Sequence, residues 1–105
     1  MQSIYLKIYM AENQKHDGVL LYEWLLERAK VMGIQGGSAF RAISGFGRHG
    51  VLHEEGFFEL AGKLPVEVGF AVSEKEANQL LALLQSENLK LFYVKMNAEF
   101  GVLGE

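Results

Sequence analysis

Cationic side chains and glycines occur together in one stretch of the chain, where Arg41 precedes Gly45, Gly47, Arg48 and His49. Backbone N–H groups of glycine residues can form a nest for an anion, and a guanidinium group binds phosphate through two parallel hydrogen bonds. The stretch therefore predicts affinity for a small anion that carries phosphate. The same pattern is also typical of glycines that shape a bulge beside an arginine that forms only an ion pair.

Two histidines and two glutamates lie in the same stretch, at His49, His53, Glu54 and Glu55. Imidazole and carboxylate groups suit a divalent transition-metal ion. Because a glycine-flanked loop does not hold such ligands in place, we interpret the four as solvated side chains and keep a divalent-metal site as an alternative. No resident metal and no cofactor are expected.

No arrangement of residues predicts catalysis. The chain has no cysteine, and no other nucleophile stands beside a base. Glu23 and Glu27 are spaced to share one solvated helix face, which does not force the two carboxylates together. We therefore do not expect an enzyme.

Length and charge restrict the remaining classes of function. A chain of 105 residues predicts a single domain, 1–105. Its net charge of -3 argues against nucleic-acid binding, which depends on clustered lysine and arginine. No segment approaches the ~20 apolar residues of a membrane span, and the N-terminus does not have the pattern of a secretion signal. We expect a cytoplasmic protein that does not insert into a membrane.

Hydrophobic periodicity predicts the elements that would position the glycine-rich stretch. Asp17 is predicted to cap the first helix, Gly33 to end it, and Ser73 and Glu76 to form a capping box that begins the second helix. Strands show a period of two and helices a spacing of three and four. The predicted order is strand 3–10, helix 19–32, strand 38–46, loop 47–56, strand 65–72, a helix from 74 to about 88, and strand 91–98.

This order predicts an α+β protein with the ferredoxin-like βαββαβ fold, in which two helices cover one face of a four-stranded antiparallel sheet. The other face is predicted to be apolar. It would carry either Phe40 and Ala42 or Ala39 and Ile43 from the second strand. Two residues of the last strand, Leu91 and Tyr93, are expected nearby on the same face. An exposed apolar sheet face indicates an interface, so we expect a homo-oligomer in which sheets pack together.

Five motifs occur in a specific order and spacing: Leu20-Leu21-Tyr22-Glu23, Gly33-Ile34-Gln35-Gly36, Arg41, Gly45-Phe46-Gly47 and Leu64-Pro65-Val66. In this ordered set the chain resembles a bacterial family known as domain of unknown function 190, whose members are held to be relatives of the PII signalling proteins. The resemblance extends over nearly the whole chain, from about residue 4 to residue 98.

The resemblance implies a PII-like homotrimer with ligand clefts between subunits, at the base of the loop between the second and third strands. PII proteins bind adenine nucleotides there and pass the conformation of the loop to a transporter, a channel or an enzyme. Carried over to this sequence, the ligand-binding residues are Arg41, Gly45, Phe46, Gly47, Arg48 and His49.

The function implied by the resemblance is regulatory signalling. A small anionic metabolite, most simply an adenine nucleotide, would bind in the intersubunit cleft, and loop 47–56 would then dock a protein partner such as a membrane transporter or channel. The alternative is an interaction module that binds its partner through the loop without any ligand.

Overall fold

A computed structural model describes residues 3–45 and 64–104. It contains two helices and six strands in this part of the chain, of which two strands are short. In chain order they are β1 (Ser3–Ala11), β2 (Lys15–His16), β3 (Val19–Leu20), α1 (Leu21–Val31), β4 (Ser38–Arg41), β5 (Pro65–Ser73), α2 (Glu74–Ser86) and β6 (Phe92–Asn97).

The four longer strands form one antiparallel sheet in the order β4-β5-β1-β6. Buried and partly exposed residues alternate along β1, at the centre of this sheet, where every second residue from Ile4 to Met10 is buried. This pattern is typical of a sheet that is covered on one face only. Both helices pack their apolar stripes against that face, and the sheet with its two helices is the ferredoxin-like fold. The predicted fold class is confirmed.

The core lies between the helices and the centre of the sheet. Phe70 is its largest fully buried side chain and is contributed by β5. The other members follow the spacing of their elements, and they are Ile4, Leu6, Ile8, Met10, Leu21, Leu25, Ala29, Ile34, Val66, Val68, Val72, Ala77, Leu80 and Leu84.

Neither helix in residues 3–45 and 64–104 is long and apolar enough to cross a membrane.

Two predicted local signals are present, one at the start of α2 and one at the end of α1. The Ser73 hydroxyl accepts a hydrogen bond from the Glu76 backbone N–H at 3.1 Å, and the Glu76 carboxylate accepts one from the Ser73 N–H at 3.0 Å, so the capping box is present. Gly33 follows α1 with φ of 91°, a left-handed conformation that is open to glycine.

The segment before α1 differs from the prediction. Asp17 and Gly18 have φ of 51° and 83°, and they connect β2 to β3 as a two-residue hairpin turn. Asp-Gly favours such a turn because both of its residues tolerate positive φ. The N-cap of α1 is Leu20, without a side-chain hydrogen bond, so the prediction that Asp17 caps the helix is wrong.

The second strand of the sheet is shorter than predicted. β4 ends at Arg41, and the described residues that follow it, 42–45, lie outside any strand. Its pairing with β5 ends where Arg41 faces Val66, although the Ala42 N–H still donates to the Pro65 carbonyl at 2.8 Å. The predicted loop 47–56 lies outside the described residues.

The sheet face away from the helices, here called the open face, is partly apolar. The strand register assigns Phe40 to it because Phe40 pairs with Glu67, whereas Ala39 pairs with buried Val68. Leu91 and Tyr93 were expected on this face, but Tyr93 pairs with buried Ile8 and Leu91 packs against the core. The residues that β6 contributes to the open face are Phe92, Val94 and Met96.

Candidate functional site

Arg41 is anchored at the end of β4 by an ion pair. Its Nε lies 2.8 Å from Oε1 of Glu12, and the side chains of Arg41 and Glu12 are 66% and 23% exposed. A guanidinium group has five N–H donors, so one carboxylate does not exhaust its capacity for hydrogen bonds. Glu12 can therefore position Arg41 and leave the exposed part of the guanidinium able to bind an anion.

Beside this pair, backbone hydrogen bonds involve residues on both sides of the segment that the structure does not describe. The Glu12 N–H donates to the Leu64 carbonyl at 2.8 Å, and the Ala42 N–H donates to the Pro65 carbonyl at 2.8 Å. Gly45 lies close to Pro65, because a Cβ placed on Gly45 would be 3.4 Å from the proline Cγ. The chain thus leaves β4 and returns to β5 at one place, next to the Arg41–Glu12 pair.

An open cleft of about 550 Å³ surrounds the pair. This volume is within the range of small-ligand sites, and the lining includes Tyr22 and Asn13 beside the two charged residues. The lining is completed by apolar residues from β3, β4 and β5: Leu20, Ala39, Phe40 and Val66. Such a cleft can hold an aromatic or aliphatic body on one wall and an anionic group at Arg41.

Two of the six residues predicted to bind a ligand can be placed. Arg41 lines the cleft and Gly45 lies at the point where the chain leaves it, so the fold brings these two to the same end of the sheet. The other four predicted residues lie outside the described residues: Phe46, Gly47, Arg48 and His49. Glu12, Asn13 and Tyr22 were not predicted as ligand-binding residues, since none of them lies near Arg41 in the chain.

A second open cleft, of about 460 Å³, lies beside α1 and the turn that follows it. Glu23, Glu27 and Lys30 are its charged lining residues, and all three are exposed. The prediction that Glu23 and Glu27 form a solvated helix face agrees with this placement. Two carboxylates and an ammonium on an open surface do not form a preorganised site for an anion.

The described residues also contain a cluster of one histidine and two carboxylates that sequence reasoning did not find. His16 Nε2 lies 2.9 Å from Oε1 of Glu87 and 3.8 Å from Oδ2 of Asp17. The imidazole also packs edge-on against the Trp24 ring, with the ring centroids 4.6 Å apart. No local signal reveals this cluster, because His16 and Glu87 are 71 positions apart in the chain.

A polar network interrupts the apolar character of the open face. Lys7 Nζ lies 3.9 Å from Oε2 of Glu67, and the same carboxylate accepts a hydrogen bond from the Tyr9 hydroxyl. Burial, and then the negative charge of Glu67, raise the pKa of Tyr9 above its ordinary value of 10.0. Tyr9 also packs against Phe92, with ring centroids 5.6 Å apart.

Comparison with known proteins identifies the family. Residues 3–92 match the model of the family DUF190, described as uncharacterised ACR. The chain belongs to the DUF190 family. It is 32% identical over 83 residues to a protein of Aquifex aeolicus (strain VF5) named UPF0166 protein, and the match covers 79% of each chain. The predicted family is confirmed.

Solved structures similar to this DUF190 chain are PII-like. CPII, a nitrogen regulatory PII-like protein from Thiomonas intermedia K12, was solved bound to ADP, AMP and bicarbonate. It superposes with a TM-score of 0.63 at 21% identity, covering 97% of this chain and 96% of CPII. A PII-like signalling protein from Thermus thermophilus superposes with a TM-score of 0.58 at 23% identity, covering 91% of this chain and 86% of that one. At these identities the likeness shows the fold.

Proposed function

We propose that this DUF190 protein is a cytoplasmic regulatory protein of the PII-like type, without enzymatic activity. A small anionic metabolite, an adenine nucleotide, binds in the cleft that contains Arg41. Loop 47–56 then docks a protein partner, such as a membrane transporter or channel.

The observation that carries this proposal is the anchored guanidinium at the foot of the loop. Arg41 is held by Glu12 at 2.8 Å in an open cleft, and Gly45 lies where the chain leaves that cleft. A phosphate group at Arg41 would accept charge-assisted hydrogen bonds from the guanidinium, which are stronger than those between neutral groups. Tyr22 offers an aromatic wall on which a base could stack.

The ligand class that we propose is supported by CPII, whose structure contains ADP, AMP and bicarbonate. Each of these is an anion, and each fits the kind of group that an exposed guanidinium binds. Of the three, a nucleotide uses both properties of the cleft, since its phosphate suits Arg41 and its base suits an apolar and aromatic wall.

The mechanism that we propose is a population shift. In this proposal a bound phosphate contacts the backbone N–H groups of Gly45 to Gly47 and the side chain of Arg41 or Arg48, and these contacts would form in one arrangement of loop 47–56. The ligand therefore favours that arrangement and changes which partner the loop can dock. Glu12 keeps the guanidinium in place when no ligand is bound.

We further propose that the protein is a homotrimer in which the open faces pack together and the clefts lie between subunits. The exposed apolar side chains of the open face support this assembly, because Phe40 is 55% exposed and Met96 is 39% exposed. Apolar surface on a sheet face is a common feature of interfaces between subunits.

Replacement of Arg41 tests the ligand site. We expect Arg41→Ala to weaken the binding of ADP or AMP at least tenfold, because the group that pairs with phosphate is lost, and to leave the fold and oligomeric state intact. Titration calorimetry with each nucleotide, with and without bicarbonate, measures the affinity. Arg28→Ala is the matched control, because it removes the same charge from an exposed position on α1 and should bind as the wild type does.

Equal affinities for Arg41→Ala and wild type would remove Arg41 from the site. A wild-type protein that shows no heat and no thermal stabilisation at millimolar nucleotide would contradict the nucleotide proposal altogether. The alternative function, a ligand-independent interaction module, is supported by the ion pair with Glu12, which gives Arg41 a charged partner without a ligand. In that case partner binding would not change when nucleotide is added.

A further inference from the structure

Three side chains with metal-ligating atoms converge where the β2–β3 hairpin meets the end of α2. His16 lies at the end of β2, Asp17 is the first residue of the hairpin turn, and Glu87 is the C-cap of α2. One nitrogen and two carboxylate oxygens from these residues all lie within 4.8 Å of one another. None of the three residues lines the cleft of Arg41.

The fold holds all three ligands on short segments with defined conformations. The Asp-Gly turn, with φ of 51° and 83°, places Asp17 directly beside His16. Glu87 directly follows α2 as its C-cap, and its N–H bonds to the carbonyls of Leu83 and Leu84. The His16 side chain is 15% exposed and packs against Trp24, which restricts the orientation of the imidazole.

The spacing of the ligand atoms suits a small divalent ion. Zinc binds imidazole nitrogen and carboxylate oxygen at about 2.0–2.2 Å with tetrahedral geometry, which places neighbouring ligand atoms about 3.3–3.5 Å apart. The two distances from His16 Nε2, 2.9 Å to Glu87 and 3.8 Å to Asp17, lie on either side of this value. The Asp17 and Glu87 oxygens lie within 4.8 Å of each other.

We propose that His16, Asp17 and Glu87 bind a divalent transition-metal ion of the zinc type. His16 contributes Nε2 as a neutral imidazole, and each carboxylate contributes one oxygen, so that two negative charges balance the charge of the ion. Water takes the remaining position, because Asp17 is 70% exposed and Glu87 is 36% exposed. The bound ion joins the β2–β3 hairpin to the C-terminal end of α2.

The Trp24 ring provides a direct readout, since it is the only tryptophan of the chain and contacts the His16 imidazole. A paramagnetic ion bound at Nε2 should quench its fluorescence. We therefore expect titration with Ni²⁺ to give saturable quenching of wild-type emission, and Zn²⁺ to reverse the quenching by competition. Saturating Zn²⁺ should also raise Tm by several degrees, because the ion binds only the folded state.

Conservative variants assign the ligands. Asp17→Asn keeps a residue that accepts positive φ, and Glu87→Gln keeps the size of the side chain, so both should fold while the affinity for Ni²⁺ falls at least tenfold. Glu23→Gln is the matched control, since it removes a carboxylate from α1 just before Trp24 and should leave the affinity unchanged. His49→Ala combined with His53→Ala removes the other two histidines, and it too should leave the quenching unchanged.

His16→Ala completes the series and should abolish saturable quenching. Quenching that persists with wild-type affinity in His16→Ala, or that is lost with His49 and His53, would overturn the proposal. So would a wild-type protein that shows neither quenching nor a Tm shift at millimolar Ni²⁺ and Zn²⁺, which would leave the cluster as a hydrogen-bonded group only. These outcomes do not depend on nucleotide binding, so they are separate from the test of Arg41.

Discussion

The Arg41 side chain is both restrained and exposed, two properties that are usually in conflict at a binding site. A flexible arginine loses conformational freedom when it binds an anion, whereas an arginine fixed by buried partners has few donors left. The single carboxylate of Glu12, itself tied to Leu64 through its backbone, restrains the guanidinium while two thirds of the side chain remains exposed. Glu12 is therefore a positioning residue of the proposed site.

Tyr9 is a residue of the open face whose pKa depends on the fold. Its pKa is raised by burial and by the nearby carboxylate of Glu67, so the folded state holds the phenol proton more tightly than the unfolded state does. Between the unfolded value of 10.0 and the higher folded value, the native state binds more protons, and stability falls as pH rises. Below the unfolded value of 10.0 this contribution is fully present.

This sign predicts an alkaline loss of stability that depends on Tyr9. We expect the free energy of unfolding of the wild type to fall more steeply above about pH 10 than that of Tyr9→Phe, because phenylalanine has no proton to lose. Urea unfolding at intervals from about pH 7 to about pH 11 measures the difference. Tyr22→Phe is the control for tyrosines elsewhere, and a Tyr9→Phe curve parallel to the wild type would contradict the prediction.

At the scale of elements, the turn between α1 and β4 depends on close approach to the core. A Cβ on Gly37 would be 2.7 Å from Cδ1 of Phe70 and 3.1 Å from Cδ2 of Leu26. Phe70 is the largest fully buried side chain, so it cannot move away without disturbing the core. Gly36 precedes Gly37, and a Cβ on Gly36 would have nothing within 4 Å. The two adjacent glycines therefore have different roles.

We expect Gly37→Ala to lower the free energy of unfolding by about 1–3 kcal/mol, because the added methyl group overpacks the site at Phe70. Gly36→Ala adds the same group to open space, and neither glycine has a positive φ, so this variant should change stability by less than about 0.5 kcal/mol. Urea unfolding of the pair gives the comparison. Equal losses in both variants would mean that the turn, and not Phe70, limits the substitution.

At the scale of the whole molecule, the two sheet faces differ in what covers them. The helices cover one face, with fully buried side chains along β1 and β5. The open face carries a polar network at its centre, formed by Lys7, Tyr9 and Glu67, with exposed apolar side chains on the outer strands β4 and β6. An interface that uses this face would bury the exposed apolar side chains of β4 and β6.

We expect Met96→Glu to weaken the homo-oligomer and to leave the folded monomer intact, because it places a charge on an exposed part of the open face. Val31→Glu is the matched control, since Val31 is exposed on α1 and is not part of the sheet. Sedimentation equilibrium measures the association constant of each. A Met96→Glu protein that associates as tightly as Val31→Glu would show that the open face is not the interface.

The sequence by itself determined the two helices, the four longer strands and their order, because the signals that specify them act over a few residues. Alternation in β1 and β5, the capping box at Ser73 and the glycine after α1 each lie within one turn or one strand. It also predicted Arg41 and Gly45 as part of a candidate site. The guanidinium of arginine and the accessible backbone N–H of glycine suit an anion, and both properties follow from the residue type alone.

The tertiary structure alone decided which side chains meet. Glu12 reaches Arg41, and Glu87 reaches His16, only because strands and helices distant in the chain pack side by side. The face that each β6 residue occupies also followed from its register with β1, and a shift of one position exchanges the two faces. Local periodicity does not specify that register, so the partners of Arg41 and His16 and the makeup of the open face emerged only in three dimensions.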